Sequence, residues 1–232
     1  MVEIKGLEKF ATQDFPGVLA STVFLGSCNF RCPYCHNAEL VLNPEGLPTF
    51  PMEYFIDFLD SRKGWLEGIC ITGGEPLLHR DLEDFISLLK KRKLLVKLDT
   101  NGSFPSHLEG LLRKNLLDSV AMDIKAPLEK YQEVVKVNVK GEDIQKSAEI
   151  ILNSDVDYVF RTTVVPGLVG QEDLVKIGQM LQGAKVFQVQ RFVPANTLDP
   201  HFEQRKTFSK EEILAMAKKI EGFFNEVKVQ GV

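Results

Sequence analysis

Six short runs of apolar and β-branched residues, separated by helical or polar stretches, constrain this chain more than any other feature. They occupy residues 19–25, 68–72, 94–98, 120–124, 156–165 and 186–190. Their near-continuous hydrophobicity suits strands covered on both faces, as in a parallel sheet. Between them, Leu82, Phe85, Ile86 and Leu89 fall at helical spacing, as do Ile144, Ala148 and Ile151. Ser209-Lys210-Glu211-Glu212 reads as a capping box that opens a helix through Ile213, Leu214, Ala217 and Ile220. A last run at 227–229 predicts an edge strand. Such alternation implies a parallel α/β sheet with right-handed crossovers. Six units are too few to close an eight-stranded barrel, which leaves an open, incomplete barrel or a doubly wound sheet. Residues 1–18, with Asp14-Phe15-Pro16-Gly17 as a turn signal, predict a lead-in hairpin or loop. No Ser/Gly-rich linker or repeat interrupts the pattern, so residues 1–232 read as a single domain.

Composition narrows the function classes. Of the 232 residues, 44% are hydrophobic and 26% charged, the profile of a soluble globular protein whose core needs no disulfide staples. The 28 Lys and Arg against 32 Asp and Glu give a net charge of −4, which argues against a globally basic nucleic-acid-coating protein. Met1 to Gly6 lacks a basic stretch leading into an apolar one, so no secretory leader is expected. No apolar run approaches bilayer length, so no membrane association is expected either. Three of the four cysteines lie within eight residues. Without a leader, that clustering points to metal or redox chemistry in a reducing cytoplasm.

Those three are Cys28, Cys32 and Cys35, spaced Cys-x3-Cys-x2-Cys directly after the first strand. Thiolates on one short loop can converge on one metal centre, and soft sulfur favours iron–sulfur clusters or zinc. A cubane [4Fe-4S] cluster normally takes four cysteines, so three leave one iron open to a reacting ligand. The competing reading is a zinc site closed by His36. Closed zinc sites pair Cys-x2-Cys with a second, distant pair, however, and no such pair exists here. Cys70, inside a predicted strand, reads as a small buried hydrophobe.

The chain resembles the radical S-adenosylmethionine (SAM) superfamily. The cysteine spacing is that family's signature, with aromatic Tyr34 just before the last cysteine. Gly73-Gly74-Glu75-Pro76, one βα unit later, looks like the family's segment that contacts the methionine ammonium. Further polar groups close successive strands: Asp99-Thr100-Asn101-Gly102, Asp123-Ile124-Lys125, Arg161, and Val164-Val165-Pro166-Gly167. Taken singly, each is an ordinary cap or solvated charge. Together they fall at the C-terminal strand ends, where parallel α/β barrels assemble their sites.

The resemblance implies an incomplete parallel (βα)6 barrel over residues 19–232 that holds a [4Fe-4S] cluster on Cys28, Cys32 and Cys35. It implies SAM contacts as well. Acceptors around Gly73 and Gly74, with Glu75, take the ammonium protons; Lys125 meets the carboxylate; Asn101 meets the ribose; Tyr34 and Val164 meet the adenine, and Arg161 adds to the rim. Asp99 and Asp123 would crowd the SAM carboxylate, so either Lys125 or a bound monovalent cation is expected to neutralise them. Phe192 stands where a related activase would place a histidine near the adenine.

Within the superfamily the resemblance is to activases of glycyl radical enzymes, carried by Asp14-Phe15-Pro16-Gly17, residues 28–37, Asp99-Thr100-Asn101-Gly102 and Met122-Asp123-Ile124-Lys125. This implies a radical SAM oxidoreductase. A low-potential donor, flavodoxin or ferredoxin, reduces the cluster. SAM is then cleaved, and the 5′-deoxyadenosyl radical takes a hydrogen from a glycine Cα of a partner. The large subunit of an anaerobic ribonucleotide reductase is the first expectation for that partner, and pyruvate formate-lyase the second. A radical SAM enzyme acting on a small molecule of deazapurine type and a non-catalytic metal-binding scaffold are the rival readings.

Overall fold

A computed structural model of the chain describes residues 2–232. It falls into two compact units interleaved in sequence, and each is described by itself. One comprises residues 2–29, 39–100 and 106–120; the other comprises residues 30–38, 101–105 and 121–232.

In the first unit the lead-in is a hairpin. Strand β1 (Ile4–Ala11) runs antiparallel to β2 (Ala20–Leu25). The Asp14 carboxylate in the connecting loop accepts the Thr22 hydroxyl at 2.5 Å, which ties the Asp-Phe-Pro-Gly turn to the strand. Helices α1 (Ala38–Leu42) and α2 (Met52–Ser61) lead to β3 (Gly68–Gly73), and α3 (Leu82–Lys91) leads to β4 (Leu95–Thr100). β2, β3 and β4 are mutually parallel, and residues 68–71 are buried throughout, as two-sided coverage requires. The stripe Leu82, Phe85, Ile86 and Leu89 is buried as expected. Helix α2, which the sequence reading did not single out, buries Phe55, Phe58 and Leu59 and meets α3 through Phe55 and Phe85, with ring centroids 5.6 Å apart. Glu83 and Asp84 in the first turn of α3 and Lys90 and Lys91 in its last complement the helix dipole. Helix α4 (Pro105–Arg113) and the start of β5 (Ser119–Asp123) complete this unit.

The second unit carries the rest of β5, α5 (Tyr131–Val135), α6 (Gly141–Leu152), β6 (Asp157–Val164), α7 (Gln171–Met180), β7 (Val186–Arg191), α8 (Lys210–Ile220) and β8 (Glu226–Gln230). β6, β7 and β8 pair in parallel, so the expected edge strand is present. The capping box is present too. Ser209 Oγ accepts the Glu212 N–H at 3.2 Å, and Glu212 Oε2 accepts the Ser209 N–H at 2.7 Å. Two expectations need correction. Leu214 is exposed, and Met216 is the buried residue beside Ile213, Ala217 and Ile220. β6 is not covered evenly, because Tyr158, Phe160, Thr162 and Val164 are buried while Val159, Arg161 and Thr163 on its other face are only half-buried.

Strands that follow one another in sequence are neighbours within each unit, in the order β1-β2-β3-β4 in the first and β6-β7-β8 in the second. The α/β class and the order of parallel units agree with the sequence pattern. Among the described residues no helix is long and apolar enough to cross a membrane.

Candidate active site

In the first unit, the segment leading to Cys28 packs on the Gly-Gly-Glu-Pro turn. The Gly74 N–H donates to the Leu25 carbonyl at 2.9 Å and the Glu75 N–H to the Ser27 carbonyl at 2.8 Å. Gly73 sits at φ 120°, and a Cβ there would meet the Leu25 backbone; one on Gly74 would overlap the Ser27 carbonyl oxygen. The paired glycines are therefore required by close approach of two backbones. Glu75 is fully buried. Its Oε1 accepts the Leu77 N–H at 3.0 Å and the Thr100 hydroxyl at 2.7 Å, so its carboxylate anchors the turn and the end of β4.

The same unit holds a buried polar group on one face of β2, β3 and β4. Cys70 lies opposite Thr22 on one side and Lys97 on the other. Lys97 Nζ pairs with Asp99, and Cys70 Sγ lies 3.7 Å from both Lys97 Nζ and Asp99 Oδ1. Cys70 is thus buried, as expected, but beside an ion pair. Sequence reasoning missed Lys97. Its signal was the spacing of two from Asp99, which puts both side chains on one face of a strand.

In the second unit, residues 30–38 form a braced loop. The Arg31 N–H donates to the Val135 carbonyl, the Cys35 N–H to Cys32, the Asp199 N–H to Pro33 and the Leu198 N–H to Cys35, all at 2.9–3.0 Å. Cys32 is buried and Cys35 half-buried. The Tyr34 ring meets Phe192 edge-on at 6.5 Å. Its hydroxyl is buried without a hydrogen-bond partner among the described residues, and burial, with Cys32 adding, pushes its pKa well up. His36 stacks on Phe192 at 6.2 Å and engages the Val193 carbonyl through Nε2 at 2.7 Å. That nitrogen is already in use, which argues against His36 closing a zinc site through it. Phe192 is fully buried and serves as the platform of the cysteine loop.

Further along this unit, the Asp123 carboxylate is held at both oxygens. Arg161 Nε donates to Oδ1 at 2.7 Å and Lys125 Nζ to Oδ2 at 3.0 Å. Burial alone would raise the Asp123 pKa, but the two cations outweigh it and hold the carboxyl well below the usual range. Burial likewise opposes the Lys125 charge, yet Asp123 holds its pKa above the ordinary lysine value. Asn101 Oδ1 accepts the Ser103 N–H at 3.0 Å and the Ser103 hydroxyl at 2.6 Å, an Asx turn. Gly102 sits at φ 77°, where a Cβ would strike Met122. Val164 is fully buried in this conformation. The expected monovalent cation finds no support, because Asp99 already pairs with Lys97, and Asp123 with Arg161 and Lys125.

The model of the radical SAM superfamily matches residues 22–178. The chain belongs to the radical SAM superfamily. Over 99% of its length it is 31% identical to a Methanocaldococcus jannaschii protein named as a glycyl-radical enzyme activating enzyme, of which the match covers 96%. It is 28% identical to the pyruvate formate-lyase-activating enzyme of Streptococcus mutans, over 84% of this chain and 78% of that one. Among solved structures it is similar to Streptococcus suis SuiB bound to its precursor peptide SuiA, with a TM-score of 0.68 at 15% identity. That match covers 92% of this chain and half of the other. The Escherichia coli coproporphyrinogen III oxidase, a radical SAM enzyme, aligns with a TM-score of 0.58 at 14% identity, over 91% of this chain and 54% of that one.

Membership implies a [4Fe-4S] cluster and SAM, and the residues present fit them. Three thiols within eight residues are soft iron ligands, one fewer than a fully ligated cluster takes. Tyr34 carries a buried hydroxyl without a partner, the mark of a group satisfied by water or a bound molecule. Among the described residues no three His, Cys, Asp or Glu side chains form a ready-made metal-ion site, so the fit rests on donor chemistry and spacing.

Proposed function

We propose that this radical SAM protein is an activase that installs a glycyl radical on a partner enzyme. The observation that carries the reading is the end-to-end similarity to a glycyl-radical enzyme activating enzyme, together with the Cys-x3-Cys-x2-Cys loop. When bound, the cluster and SAM would supply the reductive radical chemistry needed to remove a hydrogen from a glycine Cα.

Each residue then has a defined task in a single domain. Cys28, Cys32 and Cys35 ligate the cluster. The N–H groups of Gly74 and Glu75 are engaged by the backbone, so that turn offers carbonyl acceptors to the SAM ammonium. Glu75 holds the turn rigid from within. Lys125, charged and fixed by Asp123, presents its ammonium to the SAM carboxylate; Arg161 keeps Asp123 ionised. Asn101 serves the ribose through its ordered turn, and Tyr34 with the Val164 turn serves the adenine. Glycine suits the target because no side chain blocks its Cα.

The large subunit of an anaerobic ribonucleotide reductase is the partner proposed first, with flavodoxin or ferredoxin as donor. Pyruvate formate-lyase is the second reading, favoured by the named relatives. Anoxic incubation of reconstituted protein with SAM, a reductant and each candidate partner, followed by electron paramagnetic resonance, separates the two. A glycine-centred doublet is expected with one partner and not with Cys32→Ala. A doublet that Cys32→Ala leaves unchanged overturns the assignment.

A further inference from the structure

Parallel strands are normally covered on both faces, and in the second unit β6 and β7 bury only one. Phe160, Phe187 and Val189 are fully buried, with Phe187 stacked on Phe224 just beyond α8 at 4.5 Å. The opposite face, set by the alternation of side chains along a strand, carries Arg161 and Thr163 on β6, Gln188 and Gln190 on β7, and Lys228 and Gln230 on β8. The register places Arg161 beside Gln188 and Gln188 beside Lys228; one pleat further on, Thr163 lies beside Gln190 and Gln190 beside Gln230. Three carboxamides thus stand next to the arginine that clamps Asp123.

These amides bond to one another. Gln188 Nε2 and Gln190 Nε2 both donate to Gln230 Oε1, at 2.6 and 2.9 Å, and Gln190 Oε1 accepts the Thr163 hydroxyl at 3.3 Å. Lys228 on the same face is taken up by Glu226 at 3.5 Å. Two groups are left over. Gln188 Oε1, an acceptor, and Gln230 Nε2, a donor, have no protein partner among the described residues. Scattered surface glutamines would hold such groups in no fixed place, whereas here the mutual bonds order both.

An uncharged acceptor and an uncharged donor on one surface match a peptide group, which offers one N–H and one C=O. An anion would be drawn to Arg161 and Lys125 instead, and an apolar ligand would leave both amides unpaired. We infer that Gln188, Gln190 and Gln230 form a ladder that holds the backbone of the partner's glycine-bearing segment, with the Gln188 carbonyl accepting a peptide N–H and the Gln230 amide donating to a peptide C=O. Gln190 is a positioning residue, acting through its bond to Gln230. Recognition of backbone suits a target residue that has no side chain to read. The inference rests on the activase reading above and adds to it the surface beside the site that receives the partner.

The test is peptide affinity by isothermal titration calorimetry, on anaerobically reconstituted protein with SAM and no reductant. The probes are a synthetic peptide centred on the radical glycine of whichever candidate partner yields the doublet, and a series in which the residues flanking that glycine are N-methylated one at a time, each deleting a single N–H. One member of the series should bind wild type about tenfold more weakly than the parent, the scale of one hydrogen bond whose acceptor is left unmade. Gln188→Leu should bind the parent more weakly by a similar factor and bind that N-methylated peptide equally well, because the acceptor is gone; a merely structural glutamine would leave the discrimination intact. Wild type that binds every N-methylated peptide as tightly as the parent overturns the inference, and that arm needs no variant to fold. Gln188→Leu that keeps full discrimination overturns it as well, and so does a parent peptide that shows no binding to wild type. Protein that takes up iron and SAM but yields a doublet with neither partner overturns the activase reading, and the inference with it.

Discussion

Adding one methyl group at Gly74 should disable the cysteine loop from a distance in sequence of more than forty residues. A Cβ there would overlap the Ser27 carbonyl oxygen, stand 2.5 Å from the Ser27 carbonyl carbon and 3.2 Å from the Cys28 nitrogen. These are backbone atoms, so no rotamer change relieves the clash, and that carbonyl also accepts the Glu75 N–H at 2.8 Å. Overpacking typically costs about 1–3 kcal/mol. An obstacle made of hydrogen-bonded backbone belongs at the upper end, about 3 kcal/mol. For a chain of this size that lowers Tm by roughly 6–12 °C. The displaced atoms belong to the residues that carry Cys28, so iron uptake should fall together with Tm. Gly110→Ala in α4 is the internal control. Nothing lies within 4 Å of its added Cβ, and alanine in a helix should stabilise by about 0.5–1 kcal/mol. Scanning calorimetry and iron analysis of both variants after anaerobic reconstitution decide the matter. A Gly74→Ala protein with wild-type Tm and wild-type iron would refute the close-approach argument.

Two further outcomes follow from the ion pairs and the cysteine loop. Because the Asp123 carboxyl is held below its unfolded value of about 3.9, its pairing stabilises the fold fully above that pH and is lost as pH falls through the folded value. Arg161→Met weakens the clamp and should move the acid-unfolding midpoint to higher pH, read by circular dichroism; an unmoved midpoint counts against the clamp. His36→Ala removes a ring stacked on Phe192 and a contact to Val193 but no cluster ligand, so it should lower Tm while iron per chain stays at the wild-type value. Loss of bound metal in that variant would point back to a Cys/His zinc site.

Local patterns carried much of the fold. Leu82, Phe85, Ile86 and Leu89 on α3 and the Ser209–Glu212 box are short-range signals, and both appear in the structure as read. Leu214 shows the limit of such reading: helical spacing does not say how wide a stripe the neighbours cover, and this leucine lies just outside it. At the site, Gly-Gly-Glu-Pro was legible as a turn because the close approach of two backbones restricts positions 73 and 74 to glycine, whereas Cys-x3-Cys-x2-Cys is read from spacing and donor chemistry alone. The Asn101–Ser103 turn was legible in principle, since an Asn two residues before a serine favours it. Ion-pair partners were harder. Arg161 reaches Asp123 across 38 positions, and no local pattern records which acid a strand arginine will meet. Lys97 was passed over because a lysine within an apolar strand reads as a solvated edge charge until its burial is known.

The most direct test of the account is the metal content and SAM chemistry of the anaerobically reconstituted chain. The account predicts about four iron and four sulfide per chain, and release of methionine and 5′-deoxyadenosine when SAM and dithionite are added. A colourless, iron-free chain, one holding a single zinc, or one that leaves SAM intact under dithionite would contradict it.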